Sequence, residues 1–70
     1  MEQWITIESA TLESVEKDLE RILEDYGWEI VQKIKNEGKE TLYYGKRGNE
    51  RVKIIAVENY DGVQIFAVRT

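Results

Sequence analysis

Apolar positions along this chain follow two rhythms. Between Thr11 and Gly27, residues Leu12, Val15, Leu19, Ile22, Leu23 and Tyr26 recur at three- and four-residue steps, the spacing that lines up side chains along one stripe of an α-helix. Thr11, or Ser9 just before it, offers a hydroxyl that can accept from a free amide of the first turn, and Glu13 and Glu16 sit near the positive end of the helix dipole. Gly27 suits the left-handed residue that ends such a helix. Ahead of the helix, the β-branched and aromatic run Trp4-Ile5-Thr6-Ile7 predicts a short strand.

From Trp28 onward the pattern changes to short apolar stretches punctuated by Glu37-Gly38, Gly48-Asn49 and Asp61-Gly62, each a candidate two-residue hairpin turn. A meander of four strands follows, with a definite register: Lys35 opposite Glu40, Glu29 opposite Lys46, Tyr43 opposite Ile54, Ile55 between Leu42 and Val68, and Ala56 opposite Ala67. This register sorts the side chains onto two faces. One carries Trp28, Ile30, Ile34, Tyr43, Val52, Ile54, Ala56, Val63, Ile65 and Ala67, with the two alanines side by side where a helix can approach closely. The other carries Val31, Leu42, Tyr44, Ile55, Val57, Phe66 and Val68, together with Lys33, Lys35, Lys46, Arg51 and Lys53 against Glu29 and Glu40. The expected architecture is α+β, a single domain over residues 1–70. It has two layers, one amphipathic helix packed on a four- to five-stranded, mainly antiparallel sheet in the order strand-helix-strand-strand-strand-strand. The 4–7 strand joins one edge, parallel to the 28–35 strand or antiparallel to the last. A single helix covers one face, so the second face is left open.

Composition removes much chemistry. The 70 residues include no Cys and no His, which excludes disulfides, thiol nucleophiles, imidazole bases and zinc sites of the usual ligand type. Ser9 and Ser14 both lie at the helix start, where capping explains them, and no carboxylate, Lys or Tyr forms a catalytic constellation. Glu58, on the helix-side face near Lys39 and Arg69, reads as an edge ion pair. No cofactor or metal is expected, and the protein reads as a non-enzyme. The absence of a long apolar run or a secretory segment leads to the expectation of a soluble, cytoplasmic protein without a membrane partner.

The net charge of -4 is unevenly divided. Residues 1–26 carry eight acids against Lys17 and Arg21, whereas residues 27–70 carry six acids against eight bases. Glu16, Glu20 and Glu24 form an i, i+4 row of like charges on the helix, with Asp25 beside them at the negative end of the dipole. A solvated helix face relieved by Lys17 and Arg21 accounts for this row.

The strand around Trp4, the helix, the segment Tyr26-Gly-Trp-Glu-Ile-Val31 and the segment Tyr43-Tyr-Gly-Lys-Arg47 resemble a family of small bacterial proteins of unknown function. That family shares a Gly-Trp-Glu-Leu-Val strand start and a second strand ending in Lys-Arg. The resemblance covers about residues 4–47 and implies a helix on an antiparallel sheet, with no activity; the strands after Arg47 have no counterpart in it. The order of elements is also similar to cystatin-like folds, without their inhibitory Gln-x-Val-x-Gly motif.

The functional expectation is a small interaction module that self-associates as a homodimer or binds a protein partner through the open face, at Val31, Leu42, Tyr44, Ile55, Val57, Phe66 and Val68. Two alternatives use other residues. An acidic inhibitor or nucleic-acid mimic would dock through Glu16, Glu20, Glu24 and Asp25. A single-stranded nucleic-acid binder would stack bases on Tyr44 and Phe66 and track phosphates with Lys33, Lys35, Lys46, Arg51 and Lys53.

Overall fold

The computed structural model describes residues 3–69, and the side chains of residues 5–69. Its elements are β1 (Gln3–Glu8), α1 (Leu12–Asp25), β2 (Glu29–Asn36), β3 (Glu40–Arg47), β4 (Glu50–Asn59) and β5 (Gly62–Arg69). The five strands form one sheet in the order β1-β5-β4-β3-β2, antiparallel throughout. β1 therefore joins the sheet beside β5, leaving β2 as the other edge. The 14-residue helix is about 21 Å long, close to the width of five strands spaced about 4.8 Å apart. It carries the chain from one edge to the other.

Local chemistry sets both helix ends. Thr11 is the N-cap, its Oγ1 accepting from the Ser14 amide at 3.3 Å. The Leu12 amide donates to Glu58 Oε1 at 2.7 Å, so a β4 carboxylate satisfies a first-turn donor that the helix cannot. At the other end the Gly27 amide donates to the Glu24 carbonyl and the Trp28 amide to the Leu23 carbonyl. This Schellman arrangement needs a left-handed residue at Gly27, whose φ is 82°.

Leu12, Val15 and Leu23 pack on Tyr43, Ile54, Ala56, Val63 and Ile65 to form the buried core, with Leu19, Trp28, Ile30, Val52 and Ala67 around it. Trp28 lies at the helix C-terminal end of this core, as its place just after the helix suggests. The Arg47 guanidinium covers its ring at 4.4 Å and donates to the Tyr26 carbonyl at 3.1 Å. The side chain of Trp4, read with Trp28 as a core or staple residue, lies outside the described residues.

The strand count and the Gly48-Asn49 turn agree with the sequence pattern, and Arg47 pairs with Glu50 across that turn. Two other turns differ. The β4–β5 connection is Tyr60-Asp61, with Asn59 opposite Gly62 and Asn59 Oδ1 accepting from the Asp61 amide at 3.0 Å. Ala56 consequently faces Ile65 rather than Ala67, and Ile55 faces Phe66 rather than Val68. Because this is a two-position slip, every side chain keeps its face. Gly62 is required twice over, by its φ of 144° and by β1, since a Cβ there would sit 2.2 Å from the Ile7 carbonyl oxygen.

The β2–β3 connection has a larger effect. It spans Glu37 to Lys39, pairing Asn36 with Glu40 and Lys35 with Thr41. The odd count inverts the faces of β2 from Gln32 to Asn36. An extra residue at Val31, between the Ile30–Gly45 and Gln32–Tyr44 pairs, inverts them back. Glu29 still meets Lys46 as the turn pattern predicts. However, Lys33 and Lys35 share the helix-side face with Tyr43 and Thr41, while Ile34 joins Leu42 on the open face.

Candidate protein-interaction face

The helix occupies the side of the sheet that carries Thr41 and Tyr43, both bonded to helix carboxylates. No other described element lies over the opposite side. Through the successive ladders, Ile34 faces Leu42, Leu42 faces Ile55, Ile55 faces Phe66, and Phe66 faces Trp4 in the backbone register. Four apolar side chains thus form a continuous row across β2, β3, β4 and β5. Tyr44 and Val68 flank this row on one side and Val57 on the other, all half-buried against their neighbours. Six of the seven side chains expected at the interface, namely Leu42, Tyr44, Ile55, Val57, Phe66 and Val68, are brought together. Val31 is not part of this ladder; it is the exposed bulge residue at the sheet edge. The pattern missed Ile34, whose face depends on the bulge.

The two ends of the face differ in charge. Beyond the apolar row toward the start of β4 lie Lys53, Arg51 and Lys46, accompanied by Glu29. The Lys53 amine stands 5.8 Å from the Tyr44 ring centroid, within cation–π range. Toward the opposite end lie Glu40, opposite Val57, and Glu8, opposite Gly62. There Thr6, Glu8, Ser9, Asn59, Asp61 and Gln64 line an open polar hollow.

Relocating Lys33 and Lys35 changes both alternative sites. The nucleic-acid surface loses two of its five cations to the helix side, keeping Lys46, Arg51 and Lys53 beside Tyr44 and Phe66. The acidic row is likewise no solvated face. Glu16 is only 6% exposed; its carboxylate accepts from the Thr41 hydroxyl at 2.6 Å and lies 3.3 and 3.5 Å from the amines of Lys33 and Lys35. Glu20 accepts from Lys33 Nζ and from the Tyr43 hydroxyl, each at 2.7 Å. Glu24 and Asp25 remain exposed, and Arg21 pairs with Asp18 at 3.7 Å. Complementarity between Glu16 and Glu20 on the helix and Lys33 and Lys35 on the first strand of the meander is the sequence signal that could have placed those lysines.

Protonation follows this geometry. Burial raises the Glu16 pKa, but the hydrogen bond from Thr41 and the charges of Lys33 and Lys35 outweigh it and hold the group below the ordinary carboxylate value. Hydrogen bonds from Lys33 and Tyr43 lower Glu20, and the bond to Glu20 raises Lys33. Burial, reinforced by Glu20, pushes the Tyr43 phenol up. On the same side, Glu58 pairs with Lys39 at 3.6 Å. Arg69, expected near Glu58, bonds Glu50 instead at 2.6 Å, because the β4–β5 register sets it opposite Val52.

Among the described residues no group of acidic side chains is arranged to hold a metal ion, and no helix is long and apolar enough to cross a membrane. Compared with known proteins, the chain matches no family model, no curated protein and no solved structure.

Proposed function

We propose that the chain is a non-enzymatic interaction module whose open sheet face binds protein. The observation that carries this reading is the row of Ile34, Leu42, Ile55 and Phe66 across four strands, on a face that no described element covers. An apolar area of this kind on a small domain marks a contact surface more often than a solvated one. The groups with displaced protonation under the helix support the same reading. Glu16, Glu20, Lys33 and Tyr43 bond one another and thereby hold the helix to the sheet.

Phe66→Lys tests the proposal, since it places a charge in the row and leaves the core side chains in place. The variant should keep its circular dichroism spectrum and cooperative unfolding while losing both self-association in sedimentation and capture of any partner retained by the wild-type chain. Equal association by the two folded proteins overturns the reading.

A further inference from the structure

We propose that the occupant of the open face is a second copy of this chain, related by a two-fold axis running along the Ile34–Leu42–Ile55–Phe66 row. The basic end of each sheet then lies over the acidic end of the other. This rests on the reading of the face as a contact surface and adds the identity and orientation of what binds there.

The orientation follows from where the charges lie in the ladders. A face-to-face pair has its two-fold axis in the plane between the sheets, with the directions along the strands and across them as the two limiting cases. β4 is the central strand of five and carries Arg51 and Lys53 on the open face. An axis along β4 would set Arg51 against Arg51 and Lys53 against Lys53 of the two copies, and like charges facing each other across an interface are strongly disfavoured. An axis across the strands keeps each strand over its own counterpart and exchanges the two ends. The apolar row then packs on itself, and Glu40 of one copy comes over Tyr44 of the other, next to Lys53, the ladder neighbour of Tyr44. Arg51 of one copy also comes over Asn59 of the other, at the margin of the polar hollow lined by Glu8 and Asp61. This arrangement brings Glu40 near Lys53 of the other copy and keeps Arg51 off its own counterpart, whereas the axis along β4 stacks like charges.

The available area is sufficient. A five-stranded sheet with strands of mostly eight residues presents roughly 24 by 26 Å at about 4.8 Å between strands and about 3.3 Å per residue. Two such faces bury on the order of 1,200 Å², where stable interfaces begin. This is the inner packing of a β-sandwich made from two chains, each with its helix outside.

Sedimentation of the full chain, with Phe66→Lys, Glu40→Lys and Lys53→Glu as variants, tests the proposal. The wild type should be a dimer at tens of micromolar. Glu40→Lys and Lys53→Glu should each weaken dimerisation roughly tenfold or more, by putting like charges near each other, with unchanged circular dichroism spectra. An equimolar mixture of the two should dimerise again, because each chain then offers the charge the other needs. A dimer lost in Phe66→Lys but indifferent to both charge variants overturns the orientation and leaves the contact-surface reading intact. A dimer that survives Phe66→Lys overturns that reading as well. A wild type that stays monomeric at hundreds of micromolar rules out the second copy, while capture of a partner by the wild type but not by Phe66→Lys would show that the face serves a different protein.

Discussion

Glu16 lies on the apolar side of the helix, one residue after Val15, and is one of the residues most sheltered from solvent. A carboxylate there is tolerable because each oxygen has a partner, Thr41 from β3 and the two β2 lysines. Truncating it removes the acceptor of a fully buried hydroxyl. Glu16→Ala should therefore cost about 1 to 3 kcal/mol, read from the urea midpoint, whereas Glu24→Ala, two turns further on and exposed, should stay within about 0.5 kcal/mol. The same contacts set a pH dependence. Glu16 and Glu20 titrate below the reference value of 4.5 in the folded chain and near it when unfolded. The unfolded chain thus binds more protons as the pH falls past that value, and stability is lost through the folded pKa values. Lys33 and Tyr43 are both raised, so their contribution is present below the unfolded values of 10.5 and 10.0 and is lost as the pH rises through the folded ones. Unfolding midpoints should form a plateau near neutrality, and Glu16→Gln should flatten the acid limb and shorten the basic limb, where the Glu20 contacts of Lys33 and Tyr43 remain.

At the scale of elements, two close approaches govern how the layers fit. Ala56 has no exposed surface beneath the helix. Ala56→Leu should overpack that site by about 1 to 3 kcal/mol, with a smaller loss for Ala67→Leu, because Ala67 is only partly buried. Gly62 lets β1 dock, and Gly62→Ala, which drives a Cβ toward the Ile7 carbonyl oxygen at a φ of 144°, should cost about 1 to 3 kcal/mol. Native-state hydrogen exchange of the variant should show β1 losing protection before β3 and β4 do. The amphipathic helix, the five strands and the face assignments of β3, β4 and β5 were legible in the apolar spacing. The slip of the last hairpin left them intact, because two positions restore the alternation. β2 was not legible. Val31 resembles any strand residue, and Glu37-Gly38-Lys39 can close a hairpin with two residues or three. A single residue decides whether Lys33 and Lys35 meet the helix or the open face, so the candidate site gained Ile34 and lost two cations.

Taken as a whole, the molecule has two unlike sheet edges, and the difference bears on how it assembles. The β2 edge is interrupted by the Val31 bulge and carries two lysines engaged with helix carboxylates, both of which discourage pairing with another chain. The β1 edge has neither device. Its ladder to β5 runs without a bulge from Gln3 to Glu8, and its run of apolar and β-branched residues contains no Lys and no Pro. Ile5 and Ile7 point to the helix side, yet they remain 52% and 40% exposed, because the helix packs mainly over β2 and β4 and leaves β1 uncovered. A dimer closed through the open faces would leave this edge available on both copies, and a second mode of contact added to a closed one yields open-ended assemblies. The proposed dimer should therefore aggregate on heating or concentration through β1, and Ile5→Lys should suppress that aggregation. Because Ile5 is half exposed already, its replacement should change the urea midpoint by no more than about 0.5 kcal/mol and leave sedimentation at tens of micromolar unaltered. Light scattering during a thermal ramp separates the two surfaces. Scattering delayed by Ile5→Lys but not by Phe66→Lys places the aggregating contact at the β1 edge, whereas the reverse pattern assigns it to the open face and leaves the edge harmless.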